Sequence, residues 1–174
     1  MTRAIPVTPP SRYTRLFLYL LALCGSGFFV WLYANSTDGL APDKARAQLP
    51  GLLLMLGLLA AVFVVMWFAL QRRAVIVTDT ELIVRAGFYS RTLPRSSLRP
   101  DAALEMSLVD HRELAPRWRT NGIALPGFRA GWFRLRNNEK ALLLLTDPFH
   151  VTWLPTSEGY GLLISTTALL AALR

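Results

Sequence analysis

The sequence has 174 residues, of which 53% are hydrophobic, and it carries a formal net charge of +8. This length allows one small globular domain together with a membrane anchor. One cysteine and two histidines are too few for an intrachain disulfide, a cysteine-based zinc site or a histidine-rich metal cluster, so we expect no metal and no cofactor.

Basic residues are concentrated in the first part of the chain. Residues 1–73 carry a net charge of +5 and residues 74–174 carry +3. Lys and Arg beside membrane segments are expected on topological grounds alone. The basic total therefore does not predict nucleic-acid binding, and we expect no nucleic-acid partner.

Two uncharged runs of 22 residues, residues 16–37 and 49–70, dominate the first part of the chain. A helix rises about 1.5 Å per residue, so each run is long enough to cross a hydrocarbon core of roughly 30 Å. The short connection between the runs requires the two helices to be antiparallel. The pattern predicts a transmembrane helical hairpin over residues 16–73.

The first run also has the basic start and apolar centre of a cleaved signal peptide. It is longer than a typical signal core, and four bulky aromatic residues occupy its end. These are Phe28, Phe29, Trp31 and Tyr33. Aromatic side chains suit a membrane interface better than a small-residue cleavage site, so the pattern favours an uncleaved helix.

Charges beside the two runs predict the orientation of the hairpin. Three arginines precede the first run and two follow the second: Arg3, Arg12, Arg15, Arg72 and Arg73. The connection, residues 38–48, has no net charge. The positive-inside rule therefore places both termini in the cytoplasm. We expect a multi-pass protein of the bacterial inner membrane, with residues 1–15 as a cytoplasmic tail.

From residue 74 the periodicity changes from helical to extended. Short runs rich in β-branched and aromatic residues alternate with Gly, Pro, Asn and Asp turn signals. The clearest hairpin joins residues 132–136 to residues 141–146, and residues 166–173 have the Ala and Leu content of a closing helix. Six to eight strands and one helix predict a small antiparallel barrel or sandwich, because closure removes exposed strand edges.

Two stretches of this region carry a resemblance. Residues 77–87, VTDTELIVRAG, look like the opening hairpin of bacterial pleckstrin-homology-like domains. Residues 119–127, RTNGIALPG, continuing to residue 133, are the more distinctive match. Residues 74–174, behind two membrane helices, resemble a membrane-anchored member of that family. The resemblance implies a small barrel plugged at one end by a C-terminal helix, and it implies no common ligand or catalytic residue.

The second of these stretches suggests one candidate site. Three glycines and one proline within residues 122–131 predict a tight, specially shaped loop that leads into a strand. One interpretation is a binding rim for phosphate or carboxylate, formed by Arg117, Arg119, Asn121 and Arg129. The other is a structural turn in which Asn121 bonds its own backbone.

A second candidate site is a basic face directed at the membrane. Its members are the arginines that follow the second apolar run: Arg72, Arg73, Arg85, Arg91, Arg95 and Arg99. Each such charge near an anionic leaflet is worth on the order of 1 kcal/mol. The alternative interpretation is a set of ordinary solvated strand faces together with a topological signal.

Residues 110–113, Asp-His-Arg-Glu, are the one place where an acid–base pair can be imagined. A charged, flexible loop offers no burial to shift a pKa. The sequence has no Gly-rich phosphate loop, no Gly-x-Ser-x-Gly elbow and no metal-ligand spacing. We therefore expect that the protein is not an enzyme.

Together these observations predict a non-enzymatic binding or scaffold module that presents a β-rich domain to a protein or peptide partner, or to a second copy, at the inner membrane. One alternative is a sensor that binds acidic phospholipid headgroups. Another is an accessory subunit of a transporter or envelope enzyme. Neither apolar run contains an ionisable side chain, which argues against a channel or pump formed by this chain alone.

Overall fold

The computed structural model describes residues 3–173, which form two compact units. Residues 15–68 make up a helical unit. The residues before and after it, up to Thr14 and from Ala69 onward, make up a second unit that we call the β-domain. Residues 3–14 of the predicted tail therefore belong to the β-domain, and Arg15 belongs to the helical unit. After the helices the β-domain resumes at Ala69, five residues before the predicted boundary at residue 74.

The helical unit contains most of α1 (Arg12–Thr37) and α2 (Pro42–Gln71). Both helices are long and apolar enough to cross a membrane, with mean hydropathies of 1.9 and 2.7. They pack antiparallel, since the Tyr33 hydroxyl donates to the Ala45 carbonyl at 3.1 Å and Gly25 lies against Leu59. The expectation of two such helices is confirmed.

Helix α2 begins seven residues before the apolar run that predicted it. The reason lies in its polar first turns. Pro42 at the start has a backbone pre-set for a helix, and Asp43 in the first turn interacts favourably with the helix dipole. The polar connection between the two helices is correspondingly short.

The first sheet of the β-domain, sheet A, has four antiparallel strands in the order β1-β2-β3-β4. Their bounds are β1 (Arg3–Ile5), β2 (Arg73–Val77), β3 (Glu81–Ala86) and β4 (Tyr89–Pro94). Strand β1 comes from the segment predicted as a tail. It pairs Ile5 with Val75, and Ile5 is buried. Three residues are too few to show the alternation by which a strand is found in sequence.

The second sheet, sheet B, has six strands in the order β5-β9-β10-β8-β7-β6. Their bounds are β5 (Leu104–Met106), β6 (Pro116–Leu125), β7 (Phe128–Leu135), β8 (Lys140–Leu145), β9 (Val151–Pro155) and β10 (Gly161–Ile164). The predicted hairpin is β7–β8. Strands β8 and β10 run parallel, so the prediction of a purely antiparallel domain is wrong for this pair.

The two sheets do not close into a barrel, so the barrel form of the fold prediction is wrong. Within residues 3–173 the strands remain in two separate sheets with four edge strands: β1, β4, β5 and β6. The closing helix is shorter than predicted. It forms α3 (Leu169–Leu173), because Ser165 and Thr166 are held in hydrogen bonds to the segments around Asp147 and Thr152.

The core lies on both faces of sheet B. On one face Leu143, Leu163 and Phe133 join a buried cluster that also contains Leu108 and Leu114 from the β5–β6 connection. Residues that alternate with them are also fully buried: Leu142, Leu144, Leu154, Leu162 and Ile164. A strand covered on both faces has no need of polar alternation, which explains the uninterrupted leucines of β8.

Leu143 and Leu104 provide a matched test of this core. Both lie in one row across sheet B, since Leu104 pairs with Trp153, Trp153 with Leu163, and Leu163 with Leu143. Leu143 is fully buried, whereas Leu104 is 40% exposed. Leu143→Ala should lower the free energy of unfolding by about 2–5 kcal/mol because it leaves a cavity. Leu104→Ala should cost about 1 kcal/mol or less. Denaturant unfolding of the full chain in detergent measures both, and equal losses would contradict this core.

Candidate functional site

The stretch predicted as a loop at the binding rim is a long strand. Residues Pro116–Leu125 form β6, and the chain reverses only at Pro126 and Gly127, where Gly127 has a φ of +72°. The four predicted rim residues lie on two adjacent strands: Arg117, Arg119 and Asn121 on β6, and Arg129 on β7.

The glycines of this stretch serve strand pairing. Gly122 and Gly131 lie directly opposite one another. A Cβ atom at Gly131 would lie 2.7 Å from both the Asn121 carbonyl oxygen and the Gly122 Cα atom, so neither strand has room for a side chain here. The register shifts between Arg119 and Asn121, where Thr120 is the extra residue. The glycine content that predicted a loop reflects this close backbone approach beside a bulge.

The predicted rim residues do not form one cluster. Arg129 lies opposite Ala124, five residues along β6 from Arg119, which is about 16 Å at the rise of a strand. Asn121 does not bond its own backbone, since its side-chain oxygen accepts a 2.5 Å hydrogen bond from the Tyr89 hydroxyl of β4. Asn121 thus connects the two sheets, and Arg117 stacks on its neighbour Trp118 with 5.7 Å between guanidinium and ring centre.

Strand β6 is one of the two edge strands of sheet B, and the longer of them. No strand of residues 3–173 pairs with its outer side, and the side chains of residues 117–121 are all exposed. Trp118 is 62% exposed. The surrounding sequence is strongly basic, because residues 115–138 contain five arginines and no Asp or Glu. They are Arg117, Arg119, Arg129, Arg134 and Arg136. We call the outer side of β6 the basic edge.

The predicted membrane-facing arginines lie in separate places on the β-domain. Arg73 and the start of β4 lie at the same end of sheet A, because Arg73 pairs with Ala86 and Ala86 pairs with Tyr89. Arg95 follows the other end of β4, about 20 Å away at the rise of a strand. The Arg95 guanidinium donates to the Leu173 carbonyl at the C-terminal helix. A single basic face containing all of these arginines does not form.

One group of the predicted arginines does come together. Arg72, Arg73 and Arg85 line a depression of about 480 Å³ at the end of sheet A where β2 begins. The β3–β4 turn forms its other wall, held by a 2.8 Å hydrogen bond from the Gly87 N–H to the Arg72 carbonyl. Phe88 at the tip of this turn is 52% exposed. No Asp or Glu lines this surface, which we call the basic depression.

Arg91 belongs to a third basic region, built around Trp132 of β7, and Arg99 lines the cleft beside it. Lys140 Nζ lies 4.6 Å from the Trp132 ring centre and the Arg91 guanidinium lies 5.5 Å from it. The ring of Tyr160 meets the same indole edge-on at 4.9 Å. Each cation–ring contact is worth about 0.5–1 kcal/mol at an exposed site.

Beside this cluster lies a cleft of about 520 Å³, which we call the Trp132 cleft. Its basic side chains are Arg99, Arg134 and Lys140, and Tyr160 also lines it. Partial burial raises the pKa of Tyr160, and the Glu158 carboxylate raises it further while Arg91 acts in the opposite direction. The Tyr160 hydroxyl is therefore protonated at neutral pH and can donate a hydrogen bond.

Sequence reasoning missed Trp132, Arg134, Lys140 and Tyr160. Part of the cluster could have been found, because the predicted β7–β8 hairpin places Arg134 directly opposite Lys140. The rest could not, since Arg91 and Tyr160 come from strands and turns far apart in the chain and only the packing of the two sheets brings them to Trp132.

Two histidine–carboxylate pairs lie on the surface of the β-domain. In the predicted acid–base stretch, His111 lies 3.0 Å from Glu113, whose pKa is lowered by its own backbone N–H and by His111. His150 lies 2.8 Å from Asp147. Burial acts to raise the pKa of Asp147, but hydrogen bonds with His150 and the Phe149 N–H outweigh it and hold the pKa below its ordinary 3.8.

The described part of the chain contains no group of three or more His, Cys, Asp or Glu side chains that could hold a metal ion. No family model, curated protein or solved structure matches the chain. Membership of the pleckstrin-homology-like family therefore stays a prediction, and the functional argument rests on the three basic surfaces.

The lowered pKa of Asp147 predicts a pH dependence. Its carboxylate contributes stability that is present above pH 3.8 and lost as the pH falls through the lower folded-state pKa. Asp147→Asn should therefore lose less stability than the wild type between pH 5 and pH 3, as measured by thermal unfolding. Asp110→Asn removes a carboxylate with no hydrogen-bond or ion-pair partner in residues 3–173 and should follow the wild type. If the unfolding temperature fell equally with pH in all three proteins, the prediction would be contradicted.

Proposed function

We propose that this chain is a membrane-anchored, non-enzymatic binding module. Helices α1 and α2 span the bacterial inner membrane with both termini in the cytoplasm, and the β-domain is of the pleckstrin-homology-like class. The domain captures an extended, acidic segment of a partner protein along the basic edge. The observation that carries this proposal is a ten-residue free strand edge surrounded by arginines and without acidic side chains.

Membrane anchoring is supported by the helices themselves. Their uncharged runs of 22 residues and hydropathies of 1.9 and 2.7 meet the requirement of a hydrocarbon core. Exposed side chains on both helices are large and apolar, among them Leu23, Trp31, Leu53 and Phe68. Side chains of this kind are stable against lipid and costly against water.

Strand addition is supported by the geometry of β6. A free strand edge presents unpaired backbone N–H and C=O groups, and an extended peptide can pair with them. The other edge strands are shorter: β1 and β5 have three residues each and β4 has six. Exposed Trp118, stacked with Arg117, supplies the kind of aromatic and arginine anchor on which binding energy concentrates.

Charge favours an acidic partner over a second copy of this chain. Two copies paired through β6 would bring like-charged arginines together, which opposes association. Carboxylates on a partner strand would instead meet guanidinium forks that match their geometry.

Binding of a designed peptide to the full chain in neutral detergent tests the basic edge. The peptide alternates Glu and Val over ten residues. It should bind more tightly than its Lys–Val counterpart, and Arg117→Glu with Arg119→Glu should weaken binding about tenfold or more, as measured by fluorescence anisotropy. Replacing Arg72 and Arg85 by Gln should leave binding unchanged, because both lie in the basic depression.

A modified peptide separates strand addition from simple charge attraction. N-methylation of alternate peptide bonds keeps every charge but removes the backbone donors that a strand must offer. The methylated peptide should bind at least tenfold more weakly, and the unmodified one should slow hydrogen exchange in β6. Equal affinity of the two peptides would overturn strand addition, and concentration-dependent dimers without peptide would favour self-association.

A second candidate function is binding of acidic phospholipid headgroups at the basic depression. Arg72 and Arg73 come two and three residues after the uncharged run 49–70, so they reach the lipid headgroups if that run spans the bilayer. Arg85 lies beside them, and exposed Phe88 is a side chain suited to the membrane interface. No described contact favours the accessory-subunit hypothesis, which stays a prediction.

Lipid binding to the detergent-solubilised chain tests this second function. Phosphatidylglycerol should bind in preference to phosphatidylcholine, as counted by native mass spectrometry. Arg72→Gln with Arg85→Gln should reduce that preference roughly 30-fold, because each charge contributes on the order of 1 kcal/mol. Replacing Arg117 and Arg119 by Gln is the control of equal charge change, since both lie on the basic edge and neither lines the depression. A preference lost in the control and kept in the test variant would exclude this surface.

A further inference from the structure

We propose that the Trp132 cleft is a binding site for a small molecule that carries a phosphoryl group. The site is separate from the basic edge and does not depend on the partner proposed there. Arg99, Arg134 and Lys140 line the cleft, and Arg91 reaches the same cluster through Trp132.

The cleft collects positive charge without neutralising it. Among residues 3–173, none of its four cationic side chains forms an ion pair with Asp or Glu. Glu139 also lines the cleft, and its carboxylate accepts a 2.8 Å hydrogen bond from the Asn137 side chain. Glu158 lies near enough to raise the pKa of Tyr160. Four cations against two carboxylates leave an excess that a multiply charged anion would offset.

Three of the four cations are held in place, two by a ring and one by a carbonyl group. Lys140 and Arg91 share the indole of Trp132, which restricts two long side chains that would otherwise move freely. Arg134 donates to the Asn138 carbonyl at 3.0 Å. Side chains already restricted lose less entropy when an anion binds. Phosphate groups are the anions that guanidinium forks and a lysine ammonium recognise best together.

The walls of the cleft are also fixed. Gly161 has no room for a side chain, because a Cβ there would fall within the ring of Trp153. The turn before it is closed by the Thr156 hydroxyl, which donates to the Tyr160 carbonyl at 2.5 Å. A cleft of about 520 Å³ lies within the range of small-molecule sites, roughly 300–1,000 Å³, and Tyr160 adds a neutral donor to its cations.

Titration of the full chain with pyrophosphate, in neutral detergent at low salt, tests this site. We expect quenching of tryptophan fluorescence, a raised unfolding temperature, and tighter binding than of citrate at equal charge. Arg99→Gln with Lys140→Gln should weaken pyrophosphate binding at least tenfold. Trp132→Phe should reduce the fluorescence change, and the remainder should come from Trp153, which lines the cleft. Arg117→Gln with Arg119→Gln is the matched control of equal charge change, and it should bind like the wild type.

Three outcomes would overturn the proposal. Equal affinity for pyrophosphate and citrate would show counter-ion attraction without phosphoryl recognition. Equal weakening by the cleft variant and the edge variant would show that net charge alone decides binding. Unchanged binding in the cleft variant would place the anion elsewhere. Circular dichroism on each variant establishes that the fold is intact before any titration is interpreted.

Discussion

Burial of the central strands of sheet B on both faces is the constraint on which the β-domain depends. Strands β8, β9 and β10 carry apolar side chains that no single layer can cover. Sheet A lies against one face, where Gly87 approaches the Ala130 side chain. The β5–β6 connection, through Leu108 and Leu114, covers the other. Both layers lie on the faces of sheet B, and within residues 3–173 no strand pairs with the outer sides of β5 and β6.

Charge distribution follows from the same arrangement. Buried positions of the central strands are taken by Leu, Ile, Val, Ala, Trp and Thr, and the arginines of the domain lie at edges, ends and turns. There they meet rings and carbonyl groups more often than carboxylates: Arg91 and Lys140 lie on Trp132, Arg117 on Trp118, and Arg95 at the Leu173 carbonyl. Contacts of this kind fix the position of a cation and leave its charge unneutralised, which is the condition that favours binding of anions.

The parts of the fold that could be predicted from sequence are those that local pattern determines. Uncharged runs of 22 residues define the helices, and the alternation around a polar turn defines the β7–β8 hairpin. The parts that could not be predicted depend on partners distant in the chain. Strand β1 needs β2, and the parallel pairing of β10 with β8 cannot be seen in either strand. At β6 the glycines predicted a loop, because a glycine required by close strand approach looks the same in sequence as a glycine required by a turn.

The grouping of the arginines is also a matter of register. Arg72 and Arg85 are adjacent because β2 pairs with β3. Arg91 and Arg95 lie farther from them, because β4 starts beside this pair and runs away from it. A few contacts then fix all three basic surfaces relative to one another. Tyr89, which lines the depression, bonds Asn121 of the basic edge. Thr120 of that edge donates to the carbonyl of Trp132, whose ring contacts Lys140 and Tyr160 of the cleft. The bulge at Thr120 therefore joins the edge to the cleft, because its hydroxyl satisfies a carbonyl that displaced strand pairing would otherwise leave unbonded.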